Sequence, residues 1–237
     1  MKATSLGSAV ARVSYPGCGV ICGKTEDGLS AVMACFIMGR SPLSKNRRFV
    51  EDGGGVKIEP FIESAMRDHE TLLYSPALAF DNRLLMGNGA HTESAYRAFI
   101  GGRTFYDAVS EQRCFPDKPH YTPRVTALAT IDGDRLSLSM SVVKRAHDDS
   151  HAVCRCLFQY DDLVPGTGYY LHSYECDANP LPPVTGEPVQ VSVGGSIFDI
   201  VADIWENLNA ENKVSLWVRT VDLATRKSMS RIINKNR

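Results

Sequence analysis

The sequence predicts an α+β fold of two stacked, mainly antiparallel sheets with a few flanking helices. Short strand-like runs joined by tight-turn signals recur along most of the chain. Only three stretches carry helical periodicity. Roughly ten strands also sit better in two packed sheets than in one very wide open sheet. The 237 residues are 43% hydrophobic and 22% charged, ordinary globular values, and no Pro/Gly/Ser-rich linker divides them. We therefore expect one domain over residues 1–237, with 1–14 open to being a flexible lead.

The elements follow in order. "GVICGK" (19–24) and "LSAVMACFIMG" (29–39) flank "TEDG", whose Asp27-Gly28 is a hairpin turn signal. "TLLYSPALAF" (71–80) and "RLLMGNG" (83–89) flank Asp81-Asn82, a second hairpin. "TESAYRAFIG" (92–101), with Thr92 as N-cap, and "FYDAVSEQ" (105–112) read as helices. "RVTALATI" (124–131) and "RLSLSMSVV" (135–143) flank "DGD", a third hairpin. Strict alternation in the latter predicts one buried face and one against something polar. Further strands are expected at 152–160, 168–174, 187–193, 213–222 and 227–235. Between them "SIFDIVADIWENLN" (196–209) carries one apolar stripe, Ile197, Ile200, Val201, Ile204, Trp205 and Leu208. Ser196 with Asp199 three residues on reads as its N-terminal cap.

Bulk chemistry excludes several function classes. No apolar run approaches the roughly 20 residues of a membrane span, and the first residues lack a signal-peptide core. Net charge is -1, so no global field favours nucleic acid. Seven cysteines, an odd number, several inside apolar strand patterns, point to free thiols in a reducing cytoplasm. Cys154 and Cys156 share one face of a strand, but a zinc site would need two more ligands, so no metal is expected.

Several places carry candidate chemistry. In "CFIMGRSPLSKNRRFVED" (35–52) a buried strand surfaces into a turn-rich segment holding Arg40, Lys45, Arg47 and Arg48, with Asn46 as a neutral donor. Arginine forks suit phosphate or carboxylate. A solvated loop paired to Glu51 and Asp52 fits the spacing equally well. "LMGNGAHTESAY" (85–96) sets the Asn88-Gly89 turn before a helix, with His91 beside it. Its amides can take an anion or carbonyl oxygen; an ordinary strand-to-helix turn is the simpler reading. "FPDKPHYTPRV" (115–125) is stiffened by prolines and crowds Asp117, Lys118, His120, Tyr121 and Arg124, as a site loop or a polar edge loop would. Tyr74 reads alone as a core tyrosine. Cys18, between glycines, has no local base to make a thiolate.

Together and in order, these stretches resemble the IMP cyclohydrolase-like family. "YPGCGVICGK", "FIMGRS…SKNRRFVED", the Tyr74 strand, "NGAHT", "YTPRV", "NPLP" and "IINKNR" carry the resemblance from about Tyr15 to Arg237. It implies a four-layer αββα sandwich like that of N-terminal-nucleophile hydrolases, without their nucleophile. The implied reaction closes a ribonucleotide bearing adjacent carboxamide and formamido groups to inosine monophosphate, releasing water. No metal or organic cofactor is implied, the partner is a small purine ribonucleotide, and a homo-oligomer is expected. The resemblance assigns Tyr74 and Asp117 to catalysis with Arg47. Arg40, Asn46, Arg48, Asn88, Gly89, His91, Tyr121 and Arg124 fall to substrate binding.

Three positions depart from the family pattern. Cys18 stands where Arg is usual, Leu78 where a basic residue is common, and Phe115 where an acid is usual. These departures leave two alternatives open. One is a different amide or amidine substrate in specialised metabolism, with Cys18 as nucleophile. The other is a nucleotide-binding protein without catalysis.

Overall fold

A computed structural model of the chain describes residues 4–66, 72–146 and 152–236. Residues 1–3 of the expected lead, Thr71 of the second hairpin and the terminal Arg237 lie outside these.

The strands are β1 (Thr4–Ser5), β2 (Cys18–Lys24), β3 (Ser30–Met38), β4 (Arg47–Asp52), β5 (Gly55–Pro60), β6 (Ala77–Phe80), β7 (Arg83–Gly87), β8 (Arg124–Asp132), β9 (Arg135–Arg145), β10 (Val153–Tyr160), β11 (Thr167–His172), β12 (Val189–Ser192), β13 (Lys213–Asp222) and β14 (Ser228–Asn234). The α-helices are α1 (Leu6–Ala11), α2 (Pro42–Lys45), α3 (His91–Ile100), α4 (Phe105–Ser110) and α5 (Ile197–Asn207). One sheet runs β1-β12-β11-β2-β3-β13-β14 and the other β10-β9-β8-β7-β6-β5-β4. Every pairing is antiparallel except β1 with β12.

Alternation along each strand builds the layers. Cys22, Met33, Cys35 and Trp217 of the first sheet meet Val56, Met86, Ala127 and Leu138 of the second in one apolar core. The opposite face of the first sheet, with Ile21, Val32, Phe36 and Val218, packs on Leu6 and Val10 of α1 and Ile200 and Ile204 of α5. The opposite face of the second, with Leu85, Leu128 and Val143, packs on α3 and α4 through Phe99, Phe105 and Val109. The layers therefore run helix, sheet, sheet, helix. Burying both faces explains why β3 reads as a near-continuous apolar run.

All three expected hairpins form, and Ser196 caps α5 through a reciprocal box with Asp199. Four readings need correction. Residues 4–11 are not a loose lead: β1 pairs with β12, and Leu6, Ala9 and Val10 are buried against α5. Helix α3 begins at His91 rather than at Thr92, whose hydroxyl donates to the Gly89 carbonyl at 2.8 Å from inside the first turn. The basic segment is not one open loop: α2 occupies 42–45, and the strand already starts at Arg47. The serine face of β9 is not wholly polar in its surroundings, since Ser141 is fully buried and Val143 joins the α4 cluster.

Candidate active site

At one end of the two sheets several strand ends converge on a cavity of about 350 Å³. The first sheet contributes Cys18 at the start of β2, Met38 at the end of β3, and Ser173 and Tyr174 just beyond β11. The second contributes Arg47, Tyr74 ahead of β6, Asn88 and Gly89 after β7, and Arg124 at the start of β8.

Arg47 is only 5% exposed. Its Nε donates to the Ser44 carbonyl at 2.8 Å and an Nη to the Met38 carbonyl at 3.0 Å. Backbone oxygens thus aim the guanidinium without neutralising it. The Tyr74 hydroxyl lies 3.8 Å from the Cys18 sulfur. Burial first, then the neighbouring thiol, push the Tyr74 phenol well above its ordinary range, so it stays protonated. Burial also pushes the Cys18 thiol up, against the opposing pull of Arg47. That is the reverse of an activated thiolate.

Arg40 sits nearer the mouth. It donates to Asp177 Oδ1 at 2.9 Å and to the Ala178 carbonyl at 3.0 Å, and lies 5.1 Å from the centre of the Tyr15 ring. Tyr15 stacks on Tyr174 at 6.0 Å, and burial pushes its phenol up to about 12. Gly17 permits this packing: its φ is +76°, and a Cβ there would stand 2.6 Å from the Tyr174 ring.

Opposite these, Asp117 accepts from the Thr122 N–H at 2.7 Å and from its hydroxyl at 2.5 Å. The Thr122 oxygen is also 2.6 Å from the Tyr174 hydroxyl. Thr122 has one hydroxyl proton and gives it to Asp117, so Tyr174 donates to Thr122. The result is a continuous line, Tyr174 to Thr122 to Asp117. Arg124 lies 4.7 Å over the Phe115 ring. Burial pulls its guanidinium down, while Tyr74 and Asp117 oppose that. Three arginines and one carboxylate therefore line the cavity, a balance that suits an anion.

A sequence model of the family described as "IMP cyclohydrolase-like protein" matches residues 15–226. The chain belongs to this family. No curated protein matches it significantly.

Within this IMP cyclohydrolase-like chain the cavity gathers Cys18, Arg40, Arg47, Tyr74, Asn88, Gly89, Asp117 and Arg124 from the sequence-predicted set, and Phe115 besides. Four other predicted residues do not line it. Arg48 follows Arg47 on a strand, so it points to the other face, where it pairs with Glu59 at 3.4 Å. Asn46 spends its amide on the backbone of Ile62. His91 is buried behind Gly89, 3.1 Å from the Val125 carbonyl. Tyr121 lies under Arg145 at 4.3 Å. Leu78 sits in β6 opposite Leu85, away from the cavity.

Asn88 lines the cavity but has little left to give a ligand. It donates to the Pro123 carbonyl and Ser173 Oγ and accepts from the Val125 N–H, tying the two sheet ends together. Sequence reasoning did not single out Tyr15, Thr122, Ser173 or Tyr174. Tyr15 and Thr122 stand inside quoted motifs. Ser173 and Tyr174 close an ordinary strand pattern and carry no local signal. No cluster of three or more potential metal ligands occurs among the described residues.

Proposed function

We propose that the chain closes a purine ribonucleotide precursor bearing adjacent carboxamide and formamido groups to inosine monophosphate. The carrying observation is that Arg40, Arg47 and Arg124 meet the protonated Tyr74 hydroxyl in one cavity. In this reading the carboxamide nitrogen attacks the formyl carbon and a new C–N bond forms. Negative charge grows on the formyl oxygen, where Tyr74 donates a hydrogen bond and Arg47 supplies fixed positive charge. The attacking nitrogen must lose a proton. Tyr174 accepts it while passing its own to Thr122, and Thr122 passes its proton to Asp117. The carbinol oxygen then leaves as water, taking the proton held on Asp117 back along the same line together with the hydrogen of the former formamido nitrogen, which closes the ring C=N bond. Because both groups belong to one substrate, holding them in contact supplies much of the acceleration. Arg40, more exposed than Arg47, takes the 5′-phosphate at the mouth with Ser41 and Ser44. The layer order supports an N-terminal-nucleophile-hydrolase-like architecture, and a cytoplasmic homo-oligomer without nucleic-acid or membrane partners belongs to the same reading.

Incubation with the formamido precursor is expected to produce the hypoxanthine absorbance. No turnover at high enzyme concentration would remove the proposal. A second reading is favoured by Cys18 and Phe115, a thiol and an aromatic ring in the wall where the family resemblance leads one to expect charge. It makes the substrate a less charged amide or amidine. Cys18 as nucleophile is the weaker form of it, because burial opposes thiolate formation. Inosine monophosphate bound without turnover would point instead to a binding protein.

A further inference from the structure

Outside the cavity, α3 and α4 leave a groove of about 670 Å³ between them. This volume suits a nucleotide-sized ligand. Guanidinium groups reach it from separate places: Arg97 on α3, Arg103 in the turn before α4, Arg113 beyond α4, and Arg124 at the start of β8. Glu111 is the one carboxylate among the lining residues. It pairs with Arg103 at 2.6 Å, but both side chains are largely exposed, and such a pair yields readily to a ligand.

Two buried side chains in the same lining carry unspent polar atoms. Gln112, 8% exposed, directs its Oε1 to Thr126 Oγ1 at 3.4 Å, and its Nε2 has no partner. His91, also 8% exposed, has Nε2 against the Val125 carbonyl, so Nε2 holds the proton and Nδ1 is a bare acceptor without a partner. Both atoms are sealed from solvent, so the arginines of the lining are what a ligand meets. Arginine forks match phosphate oxygens.

We propose that the α3–α4 groove is a second binding site, separate from the cavity, for a phosphorylated small molecule. Arg124 stands in the wall between the two spaces and lines both. The proposal does not depend on the ring-closing reaction.

Calorimetric titration of the full chain with inorganic pyrophosphate tests it. Pyrophosphate is expected to bind wild type and Arg47→Ala with equal affinity in the groove, and at least tenfold more weakly when Arg97→Ala and Arg103→Ala are combined. Both changed residues of that double variant are exposed, so its fold should survive. As a second readout, pyrophosphate should slow amide hydrogen exchange across residues 97–113. Binding that persists in the double variant and disappears in Arg47→Ala, or no heat at millimolar pyrophosphate, would overturn the second site.

Discussion

Arg47 and Arg48 are neighbours in sequence with opposite fates. Strand alternation turns one into the cavity and the other toward Glu59. Arg47→Ala removes a buried charge-assisted donor, worth roughly 1.5–3 kcal/mol in such bonds. Affinity for inosine monophosphate should fall by about tenfold to a hundredfold in a calorimetric titration, while Arg48→Ala leaves it unchanged. Tyr74→Phe should lower kcat by about 10²–10³, the usual cost of losing one donor to a developing oxyanion. Nucleotide affinity should change little in that variant. His91 offers a pH test. Burial, helped by the nearby Arg124, holds its folded-state value at about 3, far below the ordinary 6.5. The unfolded chain therefore takes up a proton near pH 6.5 that the folded chain refuses. Stability from this group is complete above pH 6.5 and is lost as pH falls from there toward 3. The slope approaches about 1.4 kcal/mol per pH unit. Denaturant melts from pH 7 to 4 should show a shallower decline for His91→Gln than for wild type.

At the scale of elements, Asn88 is the joint. Its three hydrogen bonds hold the end of β7 to the start of β8 and to Ser173 beyond β11. Asn88→Ala would leave a buried N–H and carbonyl unpaired, at roughly 1–3 kcal/mol for each group left unsatisfied. A lower urea midpoint with an unchanged slope is expected, together with weaker nucleotide binding as the two sheet ends separate. Hairpins β2–β3, β6–β7 and β8–β9 were legible because turn residues and strand patterning agree locally. Hairpin β4–β5 was not, although Phe49, Val56 and Ile58 all enter the inter-sheet core. The run of cations reads as a loop, and Arg47-Arg48-Phe49-Val50-Glu51-Asp52 carries no polar–apolar alternation to mark a strand. Helix α1 was missed because six residues are too few to show periodicity; it is held by burial against α5 rather than by propensity.

For the whole molecule, the cavity exists because two sheets end together at one edge. Asn234 on β14 braces that arrangement from the side, bonding both the N–H and the carbonyl of Phe49 on β4. Sequence patterning could nominate Arg40, Arg47, Asp117 and Arg124, which stand in dense local motifs, whereas Tyr74 came only with the family resemblance. It could not place Tyr174, whose hydroxyl matters only because Thr122, distant in the chain, lies 2.6 Å away. The resemblance also counts Asn46, Arg48, His91 and Tyr121 with the site, whereas side-chain direction sends each elsewhere. The central claim is that this shared end of the sheets receives a purine monophosphate. A crystal grown with inosine monophosphate tests that claim most directly. The account predicts ligand density between Arg40, Arg47 and Tyr74, with the phosphate toward the mouth. Density confined to the α3–α4 groove, or none at saturating nucleotide, would contradict it.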